Sequence, residues 1–161
     1  MKTFLASLSL ISLLLAGHAY ALDGKNYNAS SCVAFVGNGK TLNFSNIYNN
    51  SSSSILRVDC VATKDLIKKS INSAWIEVKD LSNAENVSCT LASHYNVIGE
   101  SGGRIWSQNK KTNGINSNWQ RLSYTGLGAN NNGHYYFSCD VPKRTSNGAS
   151  WLGTYHIDEN D

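Results

Sequence analysis

The sequence predicts a single antiparallel β-sandwich, jelly-roll-like or immunoglobulin-like, of about eight strands with two disulfides. Three observations predict it. Apolar residues recur with a period of two over short runs, which on a pleated strand puts them on one face. The runs are separated by tips rich in Asn, Gly and Ser, at spacings that suit an all-β domain rather than βαβ units. Four cysteines, Cys32, Cys60, Cys89 and Cys139, fall in phase with apolar neighbours, as core disulfides require.

From the N-terminus, residues 1–21 read as a secretory signal peptide. Lys2 gives the positive start, residues 4–16 are an apolar run broken only by serines, and Ala19-Tyr20-Ala21 is an A-x-A cleavage box. The run falls short of the roughly 20 apolar residues that span a bilayer. His18 follows Leu15-Ala16-Gly17 where a lipid-bearing Cys would have to stand. Residues 22–161 then form one predicted domain, secreted or periplasmic, with no membrane insertion. A chain of that length buries about two-thirds of its unfolded surface around one core. Loss of Lys2 lowers the formal charge from +3 to +2, so no strong field favours nucleic acid or anionic lipid.

The strands follow in order. A weaker one covers residues 33–36. Residues 55–63 align Leu56, Val58, Cys60 and Ala62; residues 64–71 carry the one helix-like pattern, of two turns. Residues 74–80 set Ala74, Ile76 and Val78 against Trp75, Glu77 and Lys79. Residues 87–95 align Val87, Cys89, Leu91 and Tyr95. Weaker strands are expected at 104–110 and 119–124. Residues 135–141 align Tyr135, Phe137, Cys139 and Val141, and residues 151–157 align Trp151, Gly153, Tyr155 and Ile157. An immunoglobulin domain would carry a Tyr two residues before its second core Cys; that position here is Phe137.

An even cysteine count in an exported chain argues for disulfides, and the wide spacings without C-x-x-C argue against a zinc site. Three connectivities are open. The sequential pairs, Cys32–Cys60 and Cys89–Cys139, are the expectation adopted.

The stretches Tyr48-Asn49-Asn50, Val58-Asp59-Cys60-Val61, 75–80, Val87-Ser88-Cys89-Thr90-Leu91 and 135–142 resemble small exported all-β proteins of Gram-negative bacteria with no assigned function. The resemblance implies the fold and export, and no chemistry. It departs at Val61, where a Pro is expected.

Residues 99–103, Gly-Glu-Ser-Gly-Gly, match the G-x-S-x-G nucleophile pattern, and the order Ser101…Asp140…His156 matches that of α/β-hydrolases. The context opposes it: the pattern needs a helix after the serine, and a polar strand-like stretch follows instead. A trypsin-like site would need an upstream histidine from a separate barrel, and only His94 precedes Ser101 in the mature chain. No catalytic residue is therefore expected. No metal or other cofactor is expected either, because His94, His134, His156 and Asp158 lack a spacing that brings three ligands together. Glu77, Glu85, Glu100 and Asp140 share no motif of a glycosidase pair.

The better hint lies in Trp75, Trp106, Trp119 and Tyr136, which fall opposite the apolar phase of their strands or near loops. Exposed, they would stack on sugar rings while neighbouring Asn and Gln bond the hydroxyls; buried, they would be ordinary strand residues. The expected function is a non-enzymatic binding module for a surface ligand, with a glycan as the candidate. The alternatives are a structural or adhesive envelope or protein-interaction module, which an exposed edge strand or apolar patch would favour, and a hydrolase using Ser101.

Overall fold

The alternation seen in the sequence becomes two antiparallel sheets. The computed structural model describes residues 24–65, 70–96, 103–128 and 133–159. Eleven strands lie among them: β1 (Lys25–Tyr27), β2 (Val33–Val36), β3 (Lys40–Asn43), β4 (Asn46–Asn49), β5 (Leu56–Ala62), β6 (Ile71–Asp80), β7 (Ser88–Asn96), β8 (Gly103–Lys111), β9 (Asn116–Leu127), β10 (His134–Val141) and β11 (Trp151–Glu159). A six-stranded sheet runs β3-β4-β11-β6-β9, with β1 also paired to β11, and a five-stranded sheet runs β2-β5-β10-β7-β8.

The pairings are nested. The β7–β8 pair lies innermost, and β6 pairs β9, β5 pairs β10 and β4 pairs β11, all antiparallel. This is one long two-stranded ribbon rolled up so that successive rungs alternate between the sheets. Of the two predicted sandwiches the jelly roll is the one adopted.

The strand count exceeds the expected eight by β1, β3 and β4. Their sequences, Lys-Asn-Tyr, Lys-Thr-Leu-Asn and Asn-Ile-Tyr-Asn, are too short and polar to show a period, and they pair at the margins of the ribbon. Half of the helix expected over 64–71 falls on residues 66–69, which lie outside the described residues; Lys64, Asp65 and Ser70 belong to no helix or strand, and Ile71 opens β6. Residues 1–21 also lie outside them.

The inward faces meet as predicted. Leu56, Val58, Cys60, Leu91, Phe137 and Cys139 from one sheet pack against Ala74, Ile76, Val78, Leu122, Leu152 and Ile157 from the other, all buried. Two tyrosines tie the layers together. Tyr124 on β9 donates its hydroxyl to the Cys89 carbonyl at 2.7 Å, and Tyr155 on β11 donates to the Val61 carbonyl at 2.7 Å. Burial raises the pKa of both phenols above the ordinary tyrosine value. Both therefore stay protonated donors at neutral pH, and their buried hydroxyls have the partners they need.

Both disulfides form as expected, Cys32–Cys60 and Cys89–Cys139. They brace a single sheet rather than crossing the sandwich. Cys89 and Cys139 face each other directly in the β7–β10 register, with Cα atoms 4.1 Å apart.

One strand departs from its predicted phase. Leu152 pairs with Val78 and Tyr155 with Ile76, so β11 uses one more residue than β6 over that interval. This bulge, at Gly153 and Thr154, turns both Leu152 and Tyr155 inward. Trp151 is consequently not in phase with Tyr155 and Ile157. It faces outward, stacked on Tyr48 of β4 with ring centroids 4.3 Å apart. Among the described residues no helix is long and apolar enough to cross a membrane.

Candidate functional site

The four aromatic residues singled out in the sequence occupy three different places. Trp75 (β6) and Trp119 (β9) lie on the outer face of the six-stranded sheet. Tyr136 (β10) lies on the outer face of the five-stranded sheet. Trp106 (β8) stands at the seam where the edge strands β8 and β9 approach, and Gln108 Nε2 of β8 donates to the Thr125 carbonyl of β9 there at 2.8 Å.

Trp75 has close neighbours on both flanking strands. The His156 ring of β11 stacks against it at 5.2 Å, and the Arg121 guanidinium of β9 sits 4.0 Å from its ring centroid. Arg121 also pairs with Glu77 at 3.1 Å, and His156 Nδ1 bonds Asn26 Oδ1 at 3.0 Å. These contacts give Trp75 a structural use on its own face. Trp119 reaches across β6, and its six-membered ring edge rests on Gly153. A Cβ there would lie 3.0 Å from Trp119 Cζ3.

Trp106 is placed differently. A Cβ built on Gly128, just past β9, would lie 2.9 Å from Trp106 Cδ2 and 3.2–3.3 Å from Cε3 and Cε2. Two of these three atoms form the ring fusion, so the middle of the indole plane covers the glycine backbone. Any side chain at residue 128 would lift the ring away. The residue remains 55% exposed, so the indole is seated on backbone and still open to solvent.

The outer face of the five-stranded sheet carries a groove of about 320 Å³ lined by Phe35, Arg57, Ser88, Thr90, Asn109, Ser138 and Asp140. Each of the five strands contributes. Arg57 and Asp140, opposite each other on β5 and β10, form a bidentate pair with Arg57 Nη2 2.8 Å from Asp140 Oδ2. The hydrogen bond and then the charge of Asp140 raise the Arg57 pKa above its ordinary value. Asn109 Nδ2 donates to Thr90 Oγ1 at 2.8 Å and to Ser88 Oγ at 3.1 Å. Tyr136 lies on this same face two residues before Ser138, stacked on His134 at 5.7 Å. Sequence reading missed the groove because its residues are ordinary polar members of an outward phase. Only the strand order brings them together.

The catalytic alternative meets a topological obstacle. Ser101 lies outside the described residues; of its motif only Gly103, which opens β8, is among them. The other two members of the suggested triad are described. Asp140 faces outward from the five-stranded sheet and is held by Arg57, while His156 faces outward from the six-stranded sheet. The core separates them, so they cannot act as base and orienter on one nucleophile. His94 and His134 are register partners at 5.6 Å. Asp158 instead accepts from Asn72 Nδ2 at 3.0 Å. Among the described residues no group of three His, Cys, Asp or Glu side chains is placed to hold a metal ion.

The sequence matches no protein-family model and no curated protein. Solved structures do share its architecture. A low-affinity xylan-binding module, CBM86 from the gut symbiont Roseburia intestinalis, superposes with a TM-score of 0.52 at 11% identity, over 85% of this chain and 96% of that one. The likeness is one of fold. A family 35 carbohydrate-binding module from Clostridium thermocellum gives 0.47 at 10% identity, over 83% of this chain and 96% of that one. A family two carbohydrate esterase from Cellvibrio japonicus gives 0.48 at 9% identity, over 85% of this chain and 34% of the esterase.

Proposed function

We propose that the chain is an exported, non-enzymatic glycan-binding module that seats a sugar ring on Trp106. The carrying observation is the indole laid on Gly128 and still open to solvent. A pyranose ring offers a patch of C–H bonds that packs against such a face, and its hydroxyls need polar neighbours. The fold shared with a xylan-binding module supports the reading. Residues 1–21 would direct export, and the two disulfides suit the periplasm or the exterior, in keeping with the resemblance to exported Gram-negative proteins.

Affinity electrophoresis through gels containing xylan, mannan or β-glucan tests it. Trp106→Ala is expected to weaken retardation about tenfold, the equivalent of one good stacking contact, with an unchanged melting temperature. Gly128→Ala should act likewise, because it displaces the ring without removing it. Retardation of both variants equal to that of the parent, or no retardation of the parent in any gel, would refute the proposal.

A second reading, a protein-interaction or adhesive module, draws on the edge formed by β2 and β3. Val33, Phe35, Val36 and Leu42 are exposed there, and Phe44, at the tip between β3 and β4, is 97% exposed with a φ of 53°. A bulky side chain in left-handed backbone, presented fully to water, stores strain for which packing gives no return. If this edge binds protein, the chain should self-associate or capture a partner in sedimentation experiments, and Phe44→Ser should abolish the association. A monomer at all concentrations with no partner would dismiss this reading.

A further inference from the structure

The groove on the five-stranded sheet lies on a different surface from Trp106 and has its own chemistry. We infer that it is a second binding site, which takes an uncharged oligosaccharide chain lying across the strands. It extends over β2, β5, β10, β7 and β8, four inter-strand steps or about 19 Å, longer than one sugar ring.

The lining fits such a ligand in three respects. First, the two charged groups of its lining are paired with each other, Arg57 with Asp140, so neither is free to select a strongly ionic ligand. Arg57 still directs its remaining guanidinium hydrogens away from that pair and can donate them to a hydroxyl. Second, Asn109 uses both Nδ2 hydrogens on Ser88 and Thr90. This leaves its Oδ1 as an acceptor and frees the two hydroxyl hydrogens to be donated outward. Third, Phe35 at the β2 end is 52% exposed and supplies the apolar surface that the C–H face of a ring needs.

With sites on two separate surfaces, one module could hold two chains at once, or two stretches of one chain, and gain avidity without a second domain.

This inference rests on the glycan-binding reading for the class of ligand only, not for the site. The test therefore begins from Trp106→Ala, in which the proposed stacking site is removed. Calorimetric titration of that variant with ladders of xylo-, manno- and cello-oligosaccharides should show affinity rising with chain length for at least one ladder and then levelling off once the groove is filled. Adding Asn109→Ala or Ser138→Ala should lower that affinity about tenfold per lost hydrogen bond. Both residues are surface groups whose loss leaves the core intact, and an unchanged melting temperature would confirm this. A Trp106→Ala protein that binds none of the three ladders overturns the second site and leaves the Trp106 reading standing. Binding unaffected by both groove substitutions overturns it equally. Loss of length-dependent binding in the groove variants with Trp106 intact, while single-sugar binding persists, would separate the two sites in the opposite direction.

Discussion

Full reduction of both disulfides is expected to unfold the domain at physiological temperature. The bridges span sequence separations of 28 and 50 residues. Constraining loops of that size in the unfolded chain is worth about 4 kcal/mol each. Their sum, roughly 8 kcal/mol, falls within the 5–15 kcal/mol net stability of a typical domain. All four cysteines are essentially without solvent exposure, so a reductant must first open the sheet and the effect should appear slowly under native conditions. Thermal melts before and after reduction in denaturant, with thiol titration to confirm that four thiols are free, would measure it. An unchanged melting temperature in the fully reduced protein would contradict the expectation. Of the two paired Cys→Ala variants, the one at Cys89 and Cys139 should lose more, since its loop is longer and it fixes the β7–β10 register. That register aligns Ser88 and Thr90 with Asp140 and Ser138 in the groove. Reduction should therefore abolish groove binding along with stability, which ties the proposed activity to an oxidising compartment.

How far the sequence exposes this arrangement depends on the kind of signal. The core of β5, β6, β7 and β10 is legible because one face of each strand is fully buried, and burial of a single face forces the period of two. Trp75, Glu77 and Lys79 are accordingly outward, as expected. The same reasoning fails at β11. A bulge at Gly153 shifts the phase by one residue, and nothing in the order Trp151-Leu152-Gly153-Thr154 announces that shift beyond the glycine itself. β1, β3 and β4 are invisible for a different reason: strands of three or four residues contain too few alternations to differ from loop.

For the candidate site, residue type was informative and position was not. The sequence marks Trp106 only as an aromatic residue opposite an apolar phase or near a loop, whereas its distinguishing property is the bare Gly128 beneath it, 22 positions further along the chain. Trp75 carries the same mark in the sequence and is flanked by His156 and Arg121. The groove carried no signal at all. Its residues come from five strands, are polar in the way any outer face is polar, and acquire meaning only from the order β2-β5-β10-β7-β8.

Asp80→Ala is expected to be the most damaging single substitution, costing about 4 kcal/mol of stability. The side chain has no exposure to solvent, although its place in phase with Ile76 and Val78 would suggest an apolar residue. Its Oδ1 accepts from the Ser82 backbone N–H and from Ser150 Oγ, each at 3.0 Å. Its Oδ2 accepts from the Val87 N–H at 3.1 Å and from the Thr112 hydroxyl. Ser150 Oγ in turn accepts from Leu81 N–H at 3.0 Å. One carboxylate thus joins the β6–β7 connection, the start of the β8–β9 connection and the residue preceding β11. Truncation to Ala would leave several donors buried together, each costing about 1–3 kcal/mol before relaxation or entry of water reduces the total. Asp80→Asn provides the sharper comparison. All four partners donate, so an amide, which replaces one acceptor by a donor, must turn hydrogens toward hydrogens at one side of the site. It should recover only part of the loss, whereas at a position where the side chain merely fills space Asn would restore stability almost fully. Urea unfolding curves for the parent and both variants decide between these roles. A midpoint shift for Asp80→Ala equivalent to under about 1 kcal/mol, or full recovery by Asn, would show that the loops hold together without this carboxylate.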